Sequence, residues 1–184
     1  MKKKKHAKKE EVWVKNPLPA AFDEDWTVYN EVHLRFDGGC GPTNPGGVPT
    51  FGWQLYGIMN GAGDIIQEGW GVCLRLPHHL RTNNTAEWAG VVDALEWMVE
   101  EQVGAHRIRI IGDSQLIINQ VKGVWACKKD HLREAYKDAI KALSECCGSH
   151  YSAKWVPRAL NAACDRLSNL AYNQERDNPE VFGD

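Results

Sequence analysis

Four acidic residues stand where a carboxylate can do chemistry: Asp37, Glu87, Asp113 and Asp165. Asp37 ends the alternating run 32–36, which predicts a β-strand, and Asp113 follows the isoleucine-rich run RIRII at 107–111, which predicts another. Open α/β sheets place ligands beyond the carboxyl ends of parallel strands, so these aspartates face each other if their strands run parallel. Carboxylate oxygens are the ligands that hard divalent cations prefer. The pattern therefore indicates chemistry carried by acids and bound cations.

Glu87 lies on the apolar stripe of a predicted helix. Glu87, Val91, Leu95 and Met98 are spaced i, i+4, i+8 and i+11, so they share the helix face that packs on the sheet. A carboxylate on that face needs a partner or a metal ion, because burying it unpaired is costly. The local alternative is a capping box formed by Asn84 and Glu87.

Two of the aspartates also have local alternatives. Asp165 falls in the second turn of a helix for which Asn161 is the predicted N-cap, so it is either a ligand or an exposed helix acid. Asp113 is either a ligand or the N-cap of the helix that begins at Ser114.

The glycine-rich stretch after Asp37, GGCGPTNPGG, does not match a phosphate-binding loop. It contains no lysine and lacks the spacing of the known phosphate-binding motifs. The acid itself is therefore the functional candidate in this segment.

The composition is that of one soluble globular domain. The chain has 184 residues, with 43% hydrophobic and 25% charged residues. No apolar run approaches the roughly 20 residues of a membrane span, and no apolar region follows the N-terminal lysines. The six cysteines lack zinc-site spacing and are interpreted as small buried residues. We expect a monomeric, cytoplasmic protein without membrane association.

The charge is unevenly distributed. Residues 1–9 contain six lysines and no acid, so a net charge of −2 for the whole chain leaves −8 for the rest. We interpret 1–27 as a basic, flexible arm and lead-in, 28–175 as the catalytic domain and 176–184 as a tail. The arm either holds nucleic acid through phosphates or serves as a solubilising tail.

Periodicity predicts an α/β fold with a five-stranded mixed sheet. Three strands that follow one another as antiparallel hairpins are predicted at 30–37, 51–59 and 64–74. Helices and strands then alternate: helix 84–101, strand 107–111, helix 114–121, helix 129–146, strand 150–156 and helix 161–174. Crossovers of this kind place helices on both faces of the sheet.

The chain resembles a type 1 ribonuclease H over about residues 31–172. The matching stretches are FDGGCGPTNPGG, TNNTAEW, IGDSQLIINQVKG and WVPRALNAACDRLS. The resemblance implies the ribonuclease H-like fold and an endoribonuclease that hydrolyses the RNA strand of RNA/DNA hybrids. It also implies that the four acids bind two Mg²⁺ or Mn²⁺ ions and that the products carry 5′-phosphate and 3′-hydroxyl ends.

The resemblance also implies substrate contacts. Minor-groove contacts fall to four uncharged residues: Asn44, Asn83, Asn84 and Gln115. Turn and cap formation is the alternative for the asparagines. Thr82 and Arg81 are assigned to phosphates, and Gly38 and Gly39 to close approach of a nucleic-acid backbone. Trp125 either stacks on a sugar of the DNA strand or packs in the core.

The chain departs from the common family pattern at three places. Gly39 stands where the family often has serine or alanine, and the lysine-rich insertion between helices is missing. Many members of the family place a histidine shortly ahead of the last acid, but the segment VPRALNAACD contains none, so Arg158 or the nearby His150 is a candidate replacement. These features resemble a subgroup of archaeal and some bacterial members, some of which also cut double-stranded RNA. The alternatives are a catalytically weak hybrid- or RNA-binding module and another nuclease of the superfamily, which TNN-x-x-E and DSQ disfavour.

Overall fold

A five-stranded mixed sheet forms the centre of the molecule. The computed structural model describes residues 22–74, 76–148 and 150–178. The sheet strands are β2 (Glu31–Gly41), β3 (Val48–Met59), β4 (Ala62–Val72), β6 (Ile108–Gly112) and β7 (Tyr151–Trp155). Their spatial order is β4-β3-β2-β6-β7.

The antiparallel directions predicted for the first three strands are confirmed. β2 pairs antiparallel with β3, with Asp37 opposite Gly52, and β3 pairs antiparallel with β4. β2 and β6 run parallel from the pair Val32–Ile108 to the pair Arg35–Ile111, and β6 and β7 are also parallel. The carboxyl ends of β2 and β6 therefore meet at one edge of the sheet, as the positions of the two aspartates require.

The described residues contain four α-helices, of which α3 packs on α1: α1 (Asn83–Glu100), α2 (Gln115–Val121), α3 (Asp130–Cys147) and α4 (Ala162–Asp177). A Cβ on Gly38 would meet the backbone of α1, whereas a Cβ on Gly52 would meet the backbone of α4 at Ser168. Gly52 is paired with Asp37, the neighbour of Gly38, and successive residues of a strand point to opposite faces. Helices α1 and α4 thus pack on opposite faces, as predicted.

Two short strands were not predicted from the sequence. β1 (Thr27–Tyr29) and β5 (Val103–Ala105) pair in parallel as a separate two-stranded sheet. Three residues are too few for a period-2 pattern to be recognised. Among the longer elements, β2 extends four residues beyond its predicted end and α4 three residues beyond its own.

The core lies between β2, β3 and the apolar face of α1. Val91, Leu95 and Met98 are fully buried, so the predicted stripe is confirmed. Among the tryptophans, Trp53 and Trp88 are buried in the core, whereas three others are partly exposed: Trp70, Trp125 and Trp155. Three cysteines are buried, Cys146, Cys147 and Cys164, and three are half-buried, Cys40, Cys73 and Cys127.

The lysine-rich segment 1–9 and most of the predicted tail lie outside the described residues. No helix in the described part of the chain is long and apolar enough to cross a membrane.

Candidate active site

The sequence predicted that the first long strand ends at Asp37, but in the structure Asp37 lies within β2. β2 continues to Gly41 because β3 pairs with it along its whole length, up to the pair Gly41–Val48. The parallel partner stops earlier, at the pair Arg35–Ile111. Asp37 therefore lies two residues beyond the last parallel pair, at the edge where β6 delivers Asp113.

Glu87 approaches Asp37 because Gly38 has no side chain. A Cβ on Gly38 would lie 2.6 Å from the carbonyl carbon of Ala86 and 2.8 Å from the Cα of Glu87, closer than real Cβ contacts. Gly38 therefore admits the first turn of α1, a role that the sequence did not predict. By contrast, a Cβ on Gly39 would meet only Ser168 Oγ, at 3.8 Å.

The carboxylate of Glu87 does not cap its own helix. The N-cap of α1 is Thr82, whose hydroxyl accepts from the N–H of Thr85, and the Thr85 hydroxyl completes the capping box. Glu87 Oε2 instead accepts a 2.6 Å hydrogen bond from Ser114 Oγ. The capping alternative for Asn84 and Glu87 is therefore wrong.

Asp113 is likewise not a cap, because Ser114 holds the N-cap position of α2 and its Oγ accepts from the N–H of Ile117. Asp113 Oδ1 accepts a hydrogen bond of 3.0 Å from Asn161 Nδ2. Asn161 precedes α4 as predicted, but its side chain makes no capping hydrogen bond. The sequence could not indicate this contact, because it joins residues 48 positions apart.

Asp165 faces the same cleft from the first turn of α4, one turn earlier than predicted. Its Oδ1 accepts a short, charged hydrogen bond from Arg158, and Asn169 Nδ2 donates to its Oδ2 at 3.3 Å. The Asp165 side chain is 30% exposed, so it is not the fully exposed helix acid of the alternative interpretation.

The four acids act on one another electrostatically. Burial, and then the charges of Asp113 and Asp165, raise the pKa of Asp37 to about 7, although Arg158 opposes this shift. Burial raises the pKa of Glu87 to about 8, with Asp37 and Asp113 adding to the shift and the Ser114 hydrogen bond opposing it. Raised carboxylate pKa values in a cleft are typical of functional sites.

Arg158 is the cation that faces these acids. Its hydrogen bond to Asp165, followed by the charges of Asp165, Asp37 and Asp113, raises the pKa of its guanidinium. The other candidate for the missing histidine, His150, precedes the first residue of β7, whereas the acids lie at the opposite end of that strand. Five strand residues span about 16 Å, so His150 is wrong as a replacement.

A polar cleft of about 440 Å³ opens beside Asp37 and Asp165. The predicted residues Gly38, Gly39 and Asn83 line it. Three further lining residues on α4 were not predicted: Ser168, Asn169 and Tyr172. With Asp165 they follow the spacing i, i+3, i+4 and i+7, so extending the stripe from Asp165 would have found them.

The remaining predicted substrate residues do not line this cleft, and they differ in exposure. Asn44 and Gln115 are exposed, and Asn84 is half-buried in the first turn of α1. Arg81 has a structural role, since its guanidinium donates to the carbonyls of Leu74 and Leu76 at 2.8 Å each. Trp125 is 46% exposed, which rules out the core-packing alternative.

The donor set fits divalent cations, although the side chains do not yet converge on one. Within the described residues, no three His, Cys, Asp or Glu side chains have the arrangement of a complete metal site. The fit lies in the chemistry: four carboxylates share one edge, and burial and mutual repulsion hold two of them partly protonated near neutral pH. Oxygen ligands of this type and a surplus of negative charge are what Mg²⁺ and Mn²⁺ require.

Comparison with known proteins agrees with this arrangement. Residues 61–171 match the family model "Reverse transcriptase-like", a segment that contains Glu87, Asp113 and Asp165. Ribonuclease HI of Halobacterium salinarum is 35% identical over 142 residues, which cover 77% of this chain and 64% of that protein. The bifunctional protein Rv2228c of Mycobacterium tuberculosis is 36% identical over 92 residues, or 50% of this chain and 24% of that protein. The chain thus spans less than two thirds of these relatives.

Solved structures match over most of their length. The N-terminal RNase H domain of Rv2228c from M. tuberculosis, solved as a fusion with maltose-binding protein, has a TM-score of 0.67 at 28% identity, covering 80% of this chain and 96% of that chain. RNase H1 from H. salinarum has a TM-score of 0.64 at 34% identity, covering 78% and 98%. The resemblance seen in the sequence is confirmed: the chain belongs to the reverse transcriptase-like family and has the fold of the type 1 ribonucleases H.

Proposed function

We propose that this protein is an endoribonuclease that hydrolyses the RNA strand of RNA/DNA hybrids with two bound Mg²⁺ or Mn²⁺ ions. The products would carry 5′-phosphate and 3′-hydroxyl ends. The single observation that carries the proposal is the meeting of four carboxylates from β2, α1, the end of β6 and α4 at one edge of the sheet. Relatives named ribonuclease HI and RNase H1 support it.

Asp37, Glu87, Asp113 and Asp165 would hold the ions, with Asp37 and Asp113 as the central ligands. When bound, such ions activate a water and stabilise the charge that develops on the leaving oxygen. The raised pKa values of Asp37 and Glu87 mean that both carboxyls must lose protons before they bind cations well.

The chain's own residues would orient the substrate beside the acids. Asn83 lines the cleft and Gln115 is exposed at the start of α2, so their amides can reach sugar hydroxyls and base edges in a minor groove. Gly39 adds no side chain to the wall of the cleft next to Asp37. Uncharged donors of this kind suit an A-like helix that carries 2′-hydroxyls.

Arg158 would partly replace the histidine that many family members have ahead of the last acid. Its guanidinium stands at Asp165 and is 76% exposed, so it can move from the acid to a phosphate oxygen. A permanent cation cannot act as a general acid or base near neutral pH. Its role would be to hold phosphate and to neutralise Asp165 when no ion is present.

The second candidate is a binding module that grips hybrids or RNA without cutting them. The ion pair between Arg158 and Asp165 favours it, because that pair occupies one of the four acids. A relaxed nuclease that also cuts double-stranded RNA is a variant of the first proposal.

The test is to incubate the protein with end-labelled RNA/DNA hybrid, double-stranded RNA and single-stranded RNA, each with Mg²⁺, with Mn²⁺ and with chelator. Asp113→Asn is the inactive control, and Asp130→Asn, at an exposed acid in the first turn of α3, is the matched control that should stay active. We expect metal-dependent internal cuts in the hybrid's RNA strand that Asp113→Asn abolishes.

The other outcomes separate the remaining hypotheses. Binding without cutting under either metal would replace the enzyme by the binding module, and equal cutting of double-stranded RNA would identify the relaxed nuclease. The monomeric state and cytoplasmic location stay predictions from the sequence, and sedimentation analysis tests the first of them.

A further inference from the structure

Asn161 forms hydrogen bonds with Asp113, with Asp165 and with Phe36, the residue before Asp37. Its side chain is 2% exposed. Nδ2 donates one hydrogen bond to the backbone carbonyl of Phe36 at 2.7 Å and another to Asp113 Oδ1 at 3.0 Å. Phe36 directly precedes Asp37. One amide group therefore links the backbone of β2 next to Asp37 to the side chain of Asp113, which follows β6.

The backbone of the same residue supports the third acid. The carbonyl of Asn161 accepts from the N–H of Asp165 at 3.2 Å and from the N–H of Cys164 at 3.1 Å. These bonds form the first turn of α4. The position of Asp165 is therefore tied to the residue whose side chain holds Asp113.

The unsatisfied atom of Asn161 indicates why an amide is present. Its Oδ1 is buried and meets no donor within the described residues. A buried polar atom without a partner lowers stability, and such exceptions in a folded protein call for an explanation. A residue chosen for packing alone would be apolar, so the two bonds donated by Nδ2 explain why the amide is kept.

A neutral donor also suits this place better than a charged one. The carboxylate of Asp113 and the carbonyl of Phe36 both present oxygens, and an NH₂ group can donate to the two at once. A lysine or arginine here would also donate, but its positive charge would repel the cations that the acids are proposed to bind.

We propose that Asn161 is a positioning residue that sets the separation and orientation of Asp113 relative to Asp37 through β2. It touches neither substrate nor ion, and acts by presenting two carboxylates to the same cations. The inference rests on the proposed function, since it assigns a role within that same site.

The experiment compares two variants with a matched control. Asn161→Ala removes both donated bonds, and Asn161→Asp keeps the shape but replaces the donor by an acceptor facing two oxygens. The control is Gln120→Leu, at a buried amide whose Oε1 accepts from Trp88 Nε1 at 3.0 Å in the core. Each protein is assayed at a temperature at which circular dichroism shows it folded.

We expect kcat on the hybrid to fall about ten- to hundredfold in Asn161→Ala, with KM within about twofold, as for loss of a hydrogen bond to a charged group. Asn161→Asp should fall further, while Gln120→Leu keeps its kcat although it loses thermal stability. Without substrate, the Mn²⁺ concentration that gives half of the thermal stabilisation should rise at least fivefold in both Asn161 variants and stay constant in the control.

Two results would overturn the inference. One is a folded Asn161→Ala whose kcat and Mn²⁺ midpoint both match the wild type, and the other is an equal loss of kcat in Gln120→Leu, which would mean that reduced stability alone explains the effect. The Mn²⁺ midpoint keeps the two proposals separate. If the wild type does not cut the hybrid but the midpoint still shifts, the positioning role stands and the proposed reaction falls.

Discussion

The hydroxyl of Ser114 donates a 2.6 Å hydrogen bond to the carboxylate of Glu87 and at the same time caps α2. One side chain thus links the helix that carries the glutamate to the segment that carries Asp113. Because a carboxylate accepting a hydrogen bond is stabilised in its charged form, this bond opposes the burial that raises the pKa of Glu87.

Replacing Ser114 by alanine should impair activity most at low pH. Loss of the hydrogen bond raises the pKa of Glu87 above about 8, so a smaller fraction of the carboxylate is ionised near pH 7 and cations bind less well. Loss of the cap should also cost about 1 kcal/mol of stability. A pH–rate profile checks this: the deficit should shrink above pH 9, and Ser114→Thr, which keeps a hydroxyl, should restore the wild-type profile. A deficit independent of pH would contradict the explanation.

Stability without metal should decrease as the pH rises. The folded-state pKa values of Asp37 and Glu87, about 7 and about 8, lie above their ordinary values of 3.8 and 4.5. The folded protein therefore binds more protons than the unfolded chain between these limits, and its free energy of unfolding falls as the pH rises from about 4 to about 8. Added Mn²⁺ should reverse the loss at the alkaline end.

Thermal unfolding in chelator across this pH range tests that expectation. Glu87→Gln should flatten the decline, because the amide does not titrate. Glu134→Gln is the matched control, since Glu134 is an exposed glutamate paired with Lys137 away from the site, and it should keep the wild-type slope. An unchanged slope in Glu87→Gln would show that Glu87 does not cause the decrease of stability with rising pH.

A methyl group at Gly38 should disrupt the site, whereas one at Gly39 should not. The Cβ of Gly38→Ala would press on the backbone of Ala86 and Glu87, and backbone cannot move aside cheaply. We expect a loss of about 1–3 kcal/mol of stability and a strong loss of activity as Glu87 is displaced. The Cβ of Gly39→Ala meets only Ser168 Oγ at ordinary contact distance, so this variant is the control for stability, measured by the same thermal melts. Equal tolerance of both changes would contradict the packing argument.

Removing the Arg158 side chain should increase the affinity for metal ions and decrease the affinity for nucleic acid. The guanidinium neutralises Asp165, so an incoming cation competes with it for the same oxygens. In Arg158→Ala we expect Mn²⁺, titrated by calorimetry at pH 8.5 without substrate, to bind severalfold more tightly, and KM for the hybrid to rise. Arg176→Ala removes an exposed arginine that pairs with Asp177, and it should change neither value. Weaker Mn²⁺ binding in Arg158→Ala would exclude the competition.

Much of the fold follows from local patterns that the sequence displays. The long strands and helices carry clear periods of 2 and 3.6 residues, so their existence, their order along the chain and the antiparallel directions of the first three strands were predicted correctly. The two three-residue strands were missed, because Thr27–Tyr29 and Val103–Ala105 are too short to show a period and exist only by pairing with each other. The end of β2 was also missed, because antiparallel pairing with β3 holds Gly38–Gly41 extended despite their low strand propensity.

The sequence alone identified the four candidate acids, Asp37, Glu87, Asp113 and Asp165, because their segments together resemble one family although each acid taken singly has a local explanation or a weak signal. Only the tertiary structure decided what holds them. Gly38 admits the first turn of α1, and Asn161 binds Asp113 and Phe36 instead of capping α4. The physical reason is that these contacts join residues about 50 to 125 positions apart. Their partners become neighbours only when the sheet and its two helix layers close around the edge where the carboxylates meet.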